Sequence, residues 1–116
     1  MRTRTYICGA ISGLDYADRY ARFERAEEEV FRSGEIPVNP MKNGLPRTAD
    51  WHEQMVVDRR LLATCQKMVV LPYYEHSRGC AEEITWAQNL GIEIIYLSRD
   101  GEPAPKKEQY DPFDRM

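Results

Sequence analysis

The spacing of apolar positions along the chain changes period several times, and each change marks an element. Thr5-Tyr6-Ile7-Cys8-Gly9 is a short β-prone run. The stretch Gly9-Ala10-Ile11-Ser12-Gly13 carries two glycines and leads into a charged segment of helical period, which reads as strand, tight loop, helix. From Asp15 to Ser33 the residues Tyr16, Tyr20, Phe23, Ala26 and Val30 recur at three- and four-residue steps, and Gly34 stands where such a helix ends. Glu35 to Asn39 predicts a second strand, stopped by Pro40. Met41 to Ala49 has the Gly, Pro, Asn and Lys content of a surface loop, and its length suits a lid or an ordered binding loop. Asp50, followed by Glu53, has the form of a capping box and opens a helix over about Trp51 to Cys65. Lys67 to Leu71 is a continuous apolar strand, Pro72 to Arg78 a loop, Gly79 to Leu90 a third helix stopped by Gly91, and Ile92 to Leu97 a further strand.

Strand and helix therefore alternate, which predicts βαβ units with right-handed crossovers. The expected fold class is α/β: a small doubly wound, flavodoxin- or Rossmann-like three-layer sandwich on a parallel sheet of about four to five strands. Ligands of such sheets bind outside the carboxyl ends of the strands, here at the loops after Gly9, Asn39 and Leu71. The chain divides into a domain over 1–98 and a charged tail over 99–116, where Tyr110, Pro112 and Phe113 suit an arm that docks on another subunit.

Composition narrows the function. With 116 residues, 42% of them hydrophobic and 30% charged, the chain can build one sizeable core. Sixteen basic against 19 acidic residues give a net charge of −3, without the basic stripe that duplex nucleic acid demands. No apolar run approaches the roughly 20 residues of a membrane span and no signal peptide opens the chain, so a cytoplasmic protein is expected. The cysteines, Cys8, Cys65 and Cys80, are odd in number and far apart, and read as buried thiols. His52 and His76 lack partners at ligand spacing. Neither a metal nor a cofactor is expected.

Two carboxylates stand where apolar residues belong. At about 100° per residue, Trp51, Met55, Leu62 and Cys65 form one stripe with Asp58 at its centre. In the third helix Cys80, Ile84, Ala87 and Leu90 mark the inner side, with Glu83 among them and Glu82 pointing nearly the opposite way. A buried carboxylate must be paired, hydrogen-bonded or functional. Asp58 pairing with Arg59 or Arg60, and Glu83 capping a neighbouring loop, are the structural alternatives. The functional one is glycosyl chemistry, which uses one carboxylate as nucleophile or base and one near the leaving group. Ser77, before the third helix, suits an N-cap, and free N–H groups there can hold an anion. Plain capping explains that loop equally well, and the Gly9 to Gly13 turn is by itself weak support for a phosphate cradle. Tyr73 and Tyr74 suit a pocket wall, a surface patch or base stacking.

Taken together, Tyr6-Ile7-Cys8-Gly9-Ala10-Ile11-Ser12-Gly13, Trp51-His52-Glu53-Gln54-Met55 with Asp58 and Leu62, and Ser77-Arg78-Gly79-Cys80-Ala81-Glu82-Glu83 resemble the nucleoside 2-deoxyribosyltransferase-like superfamily over residues 5–97. The likeness is greatest to a small bacterial and phage branch of unestablished activity, and next to the 2′-deoxynucleoside 5′-monophosphate N-glycosidases. The resemblance implies a nucleophilic glutamate at Glu83, a base-side aspartate at Asp58 and a glutamate-orienting tyrosine at Tyr6. It implies that the backbone at Gly9, Gly13 and Gly79, with Ser12, Ser77 and Arg78, holds a 5′-phosphate or hydroxyl. Ala10 and Ser12 replace a serine and an arginine of the monophosphate-cleaving relatives, a departure that bears on phosphate preference. Gln66 stands where this branch usually has an aspartate. The implied function is an N-glycosyl enzyme, hydrolase or deoxyribosyltransferase, acting on a nucleoside or nucleotide and assembled as a homodimer or larger. Its rivals are a catalytically silent nucleotide-binding module and a glycohydrolase of NAD-type nucleotides.

Overall fold

A computed structural model describes residues 2–10 and 15–98. Strands β1 (Arg4–Cys8), β2 (Ile36–Val38), β3 (Lys67–Val70) and β4 (Glu93–Tyr96) alternate with helices α1 (Tyr16–Arg32), α2 (Trp51–Leu62) and α3 (Arg78–Leu90). All strand pairs are parallel, in the order β2-β1-β3-β4. The expected α/β fold is thus present, with four strands among the described residues. The reversal of strand order falls at β1 and β3, whose register pairs Tyr6 with Met68 and Cys8 with Val70.

Alternation along the central strands assigns the two faces. Tyr6, Cys8, Met68 and Val70 pack with Leu62 of α2 and Cys80 and Ala87 of α3. Ile7 and Val69 pack on the opposite face with Phe23, Ala26 and Val30 of α1. A strand buried on both faces has no polar side to display, which is why the stretch after Lys67, Met68 to Leu71, reads as an unbroken apolar run. Side-chain acceptors begin the helices: Asp15 accepts from Asp18 N, Asp50 from Glu53 N and Ser77 from Cys80 N. Gly9 ends β1 where a Cβ would lie 2.8 Å from Phe23 Cζ and 3.0 Å from Leu71 Cδ1, so only glycine lets α1 pack this close to the sheet.

Some boundaries differ from expectation. Helix α2 ends at Leu62 rather than Cys65. Thr64 N bonds to Leu61 O and Cys65 N to Leu62 O, a tight turn that returns the chain in time for Gln66 N to reach Arg4 O beside β3. Leu90 is 56% exposed despite its place on the inner stripe, because it lies beyond Ala87, the last residue that α3 buries. All three cysteines are buried and unbridged. Among the described residues no helix is long and apolar enough to cross a membrane. Ser12, Gly13 and the tail over 99–116 lie outside the described residues.

Candidate active site

The carboxyl edge of the sheet opens into a cleft of about 570 Å³. Its walls come from the end of β1, the start of α1, the loop after β2, the inner side of α2 and the start of α3. Both inward carboxylates, Asp58 and Glu83, line it.

Glu83 sits in the second turn of α3 and is 5% exposed. The Tyr6 hydroxyl, buried in the middle of β1, donates to Glu83 Oε2 at 2.5 Å. Burial pushes the Glu83 carboxyl up to about 8; the bond from Tyr6 opposes the rise, and the nearby Asp58 charge adds to it. Burial and the Glu83 charge also push the Tyr6 phenol well above its ordinary value, so near neutrality Tyr6 is a donor. Cys8 and Cys80 pack beside this pair. Their mutual hydrogen bond raises the Cys8 thiol, with burial adding to it, and lowers that of Cys80.

Asp58, on α2, is 4% exposed. Among the described residues no arginine pairs with it; the Arg59 guanidinium lies 5.0 Å over the Trp86 ring instead. Its partner is Asn43, whose Nδ2 donates to Asp58 Oδ1 at 2.9 Å and to Gln54 Oε1 at 2.8 Å. Asn43 Oδ1 in turn accepts from Leu45 N at 3.0 Å, which fixes the amide. Burial raises Asp58 to about 6 against the opposing bond from Asn43. Oδ1 is occupied as an acceptor, so when Asp58 is protonated the proton belongs on Oδ2. The sequence does not single out Asn43, and it marks Gln54 only as part of the Trp51–Met55 motif, with no role attached. Its nearest signal was the length of the loop over 41–49.

Of the residues expected to hold substrate, Gly9, Ser77, Arg78 and Gly79 line the cleft. Ser77 Oγ accepts from Cys80 N and caps α3. Arg78 lays its guanidinium 4.2 Å from the centre of the Trp51 ring, and 3.8 Å separates its Nε from Glu82. A Cβ on Gly79 would meet nothing nearer than 3.6 Å, so this glycine leaves space in the cleft rather than relieving a clash. Glu82 lies toward solvent, as the helical wheel requires. Tyr74 packs on Tyr96 at 5.3 Å, while Tyr73 is exposed and adopts a positive φ of 68°. Among the described residues no group of His, Cys, Asp and Glu side chains is arranged to hold a metal ion.

This parallel layer, with its cleft at the carboxyl edge, shares the fold of nucleoside 2-deoxyribosyltransferase-like proteins. The chain itself belongs to the family described as a domain of unknown function (DUF4406), whose model matches residues 3–96. Among solved structures it is similar to the CMP N-glycosidase BcmB of Clostridium botulinum, at 20% identity and a TM-score of 0.61 over 97% of this chain and 77% of the other. It is similar to a 2-deoxyribosyltransferase from Bacillus psychrosaccharolyticus, at 16% identity and a TM-score of 0.66 over 96% and 94% of the two chains. A 2-deoxyribosyltransferase from Leishmania mexicana matches at 18% identity and a TM-score of 0.61 over 83% and 64%. At such identities the likeness establishes the fold. No curated protein matches the chain in sequence.

Proposed function

We propose that the protein is an N-glycosyl enzyme acting on a nucleoside or nucleotide, with Glu83 as nucleophile, Asp58 as the acid and base at the leaving base, and Tyr6 as the residue that orients Glu83. The observation carrying this reading is that one cleft holds a glutamate hydrogen-bonded to a strand tyrosine and, on the facing helix, a second buried carboxylate. The N-glycosidase and deoxyribosyltransferases that share the fold support it.

The chemistry follows from the shared proton. With Asp58 at about 6 and Glu83 at about 8, the two carboxyls together carry one proton between those values. Glycosidic cleavage needs one acid and one anion, which is this state with the proton on Asp58. A developing positive charge on the sugar favours that tautomer, because it stabilises the Glu83 anion beside it. Glu83 then attacks the anomeric carbon as the bond to the base breaks. The electron pair departs with the base, and Asp58 Oδ2 delivers its proton there. Tyr6 keeps one oxygen of Glu83 engaged and leaves the other to bond the sugar. Asp58, now ionised, takes a proton from water, or from a second base, which displaces Glu83 from the glycosyl ester. A panel of nucleosides and their 5′-monophosphates, assayed by chromatography for free base, tests the reading. Base release supports it, exchange into an added second base marks a transferase, and ligand binding without release leaves a silent binding module.

A further inference from the structure

One group of cleft side chains takes no part in the chemistry above. Arg19, in the first turn of α1, and Arg47, in the loop after β2, converge on the ring of Tyr16, with guanidinium carbons 5.5 Å and 3.8 Å from its centre. All three residues line the cleft. Among the described residues neither arginine forms an ion pair, although the chain has 19 acidic residues for 16 basic ones. Some other cations are neutralised locally: Lys42 by Glu24 and Glu27, Lys67 by Glu35, Arg32 by Glu28. Arg19 Nε is closed off from solvent and has no hydrogen-bond partner among the described residues.

Two guanidiniums held about one ring at the positive end of a helix repel one another, and a buried N–H without an acceptor is unfavourable. Packing does not demand this arrangement, since a ring can be covered by apolar side chains. An oxyanion between the two arginines would accept from the orphaned Nε, neutralise the charge and use the planar guanidinium fork, which matches a phosphate in geometry. We propose that Arg19 and Arg47, braced on Tyr16, form a phosphate subsite in the cleft, separate from the backbone N–H groups at the start of α3. The ligand is accordingly a phosphorylated nucleotide rather than a bare nucleoside. That last step rests on the proposed glycosyl function; the anion subsite stands on its own geometry.

Inorganic phosphate and pyrophosphate, titrated into the full chain and followed by thermal shift at constant ionic strength, read the subsite without turnover. Acetate at equal charge is the control. Phosphate is expected to raise the melting temperature in a saturable way that acetate does not reproduce. Arg47→Met, at an exposed position, is expected to weaken phosphate binding at least tenfold, and Arg19→Met likewise, while Arg32→Met, at the far end of α1 and outside the cleft, keeps it. In a second arm, adenosine 5′-monophosphate is compared with adenosine by calorimetry, and Arg47→Met is expected to reduce the advantage of the phosphorylated ligand at least tenfold. No binding of phosphate, equal binding of acetate, or unchanged phosphate affinity in Arg47→Met would overturn the subsite. A protein that releases base from nucleosides but ignores phosphate refutes only this subsite. One that binds phosphate through Arg47 but releases no base from any substrate refutes only the glycosyl function.

Discussion

Glu35 and Glu83 are the same residue type at opposite edges of one sheet, and their surroundings treat them oppositely. At the amino edge, Glu35 accepts from Thr5 Oγ1 at 2.7 Å and pairs with Lys67 Nζ at 3.0 Å. Burial works against its charge there, but the two hydrogen bonds and the Lys67 ammonium outweigh it and hold the carboxyl below its ordinary value. At the carboxyl edge, Glu83 accepts from the Tyr6 hydroxyl and the Cys8 thiol, has no cation partner among the described residues and a second carboxylate for company, and rises to about 8. One end of the sheet satisfies its carboxylate and gains stability from it. The other leaves its carboxylate short of partners, the condition expected of a group that awaits a positively charged transition state.

Exchanging the carboxyls for amides separates the two ends. Glu83→Gln is expected to lower turnover on the order of a thousandfold or more, because the nucleophile is gone. It should also raise the melting temperature at pH 8, where the wild type carries an ill-solvated charge. Glu35→Gln, by contrast, is expected to leave kcat/KM unchanged and to cost about 1 kcal/mol in denaturant unfolding. Equal losses of turnover in the two variants would erase the distinction.

Asp58→Asn sharpens the comparison within the cleft. Turnover is expected to fall roughly a hundredfold with little change in ligand affinity, since the amide keeps the shape but cannot move the proton. Turnover unchanged in this variant would make Asp58 a structural partner of Asn43. Tyr6→Phe removes the hydroxyl donor to Glu83 while filling the same buried space, and about a tenfold drop in kcat is expected. The pH–rate profile carries the signature. Its limbs should lie near 6 and 8 in the wild type, and the alkaline limb should move up in the variant.

The smallest effect is the pH dependence of stability itself. Glu83 has a folded value above its ordinary 4.5, so its favourable contribution is full below 4.5 and is lost as pH rises towards 8. Asp58 acts in the same sense from 3.8 to about 6. Glu35 acts in the other sense: its contribution is present above 4.5 and is lost as pH falls through its lowered folded value. Urea midpoints should therefore decline between pH 6 and 8 in the wild type, and more shallowly in Glu83→Gln. In Glu35→Gln the loss between pH 5 and 3 should shrink.

What the sequence revealed follows from what has a period. Helices α1 and α3 and strand β3 were legible because their apolar spacing is regular and their ends carry Gly34, Gly91 and Ser77. Asp58 and Glu83 stood out because they break that spacing, a signal any single helix can carry. Asn43, Arg19 and Arg47 were silent. A loop has no period, and an arginine in the first turn of a charged helix looks like any solvated residue until the loop after β2 folds over it. The link from Tyr6 to Glu83 spans 77 positions and came from a family likeness rather than a pattern, because Tyr6 in isolation is one more apolar strand residue. The end of α2 was missed because the turn at Thr64 depends on where β3 must begin.

The most direct test of the account is to look for the bond it requires. Mixing the protein with nucleosides and nucleotides bearing a 2-fluoro sugar, which slows release of the glycosyl ester, and recording intact mass should reveal an adduct of one glycosyl unit per chain. Peptide mapping should place that unit on Glu83, and it should be absent from Glu83→Gln. An adduct on any other residue, or base released by the wild type and Glu83→Gln at equal rates, would contradict the assignment of Glu83 as the nucleophile.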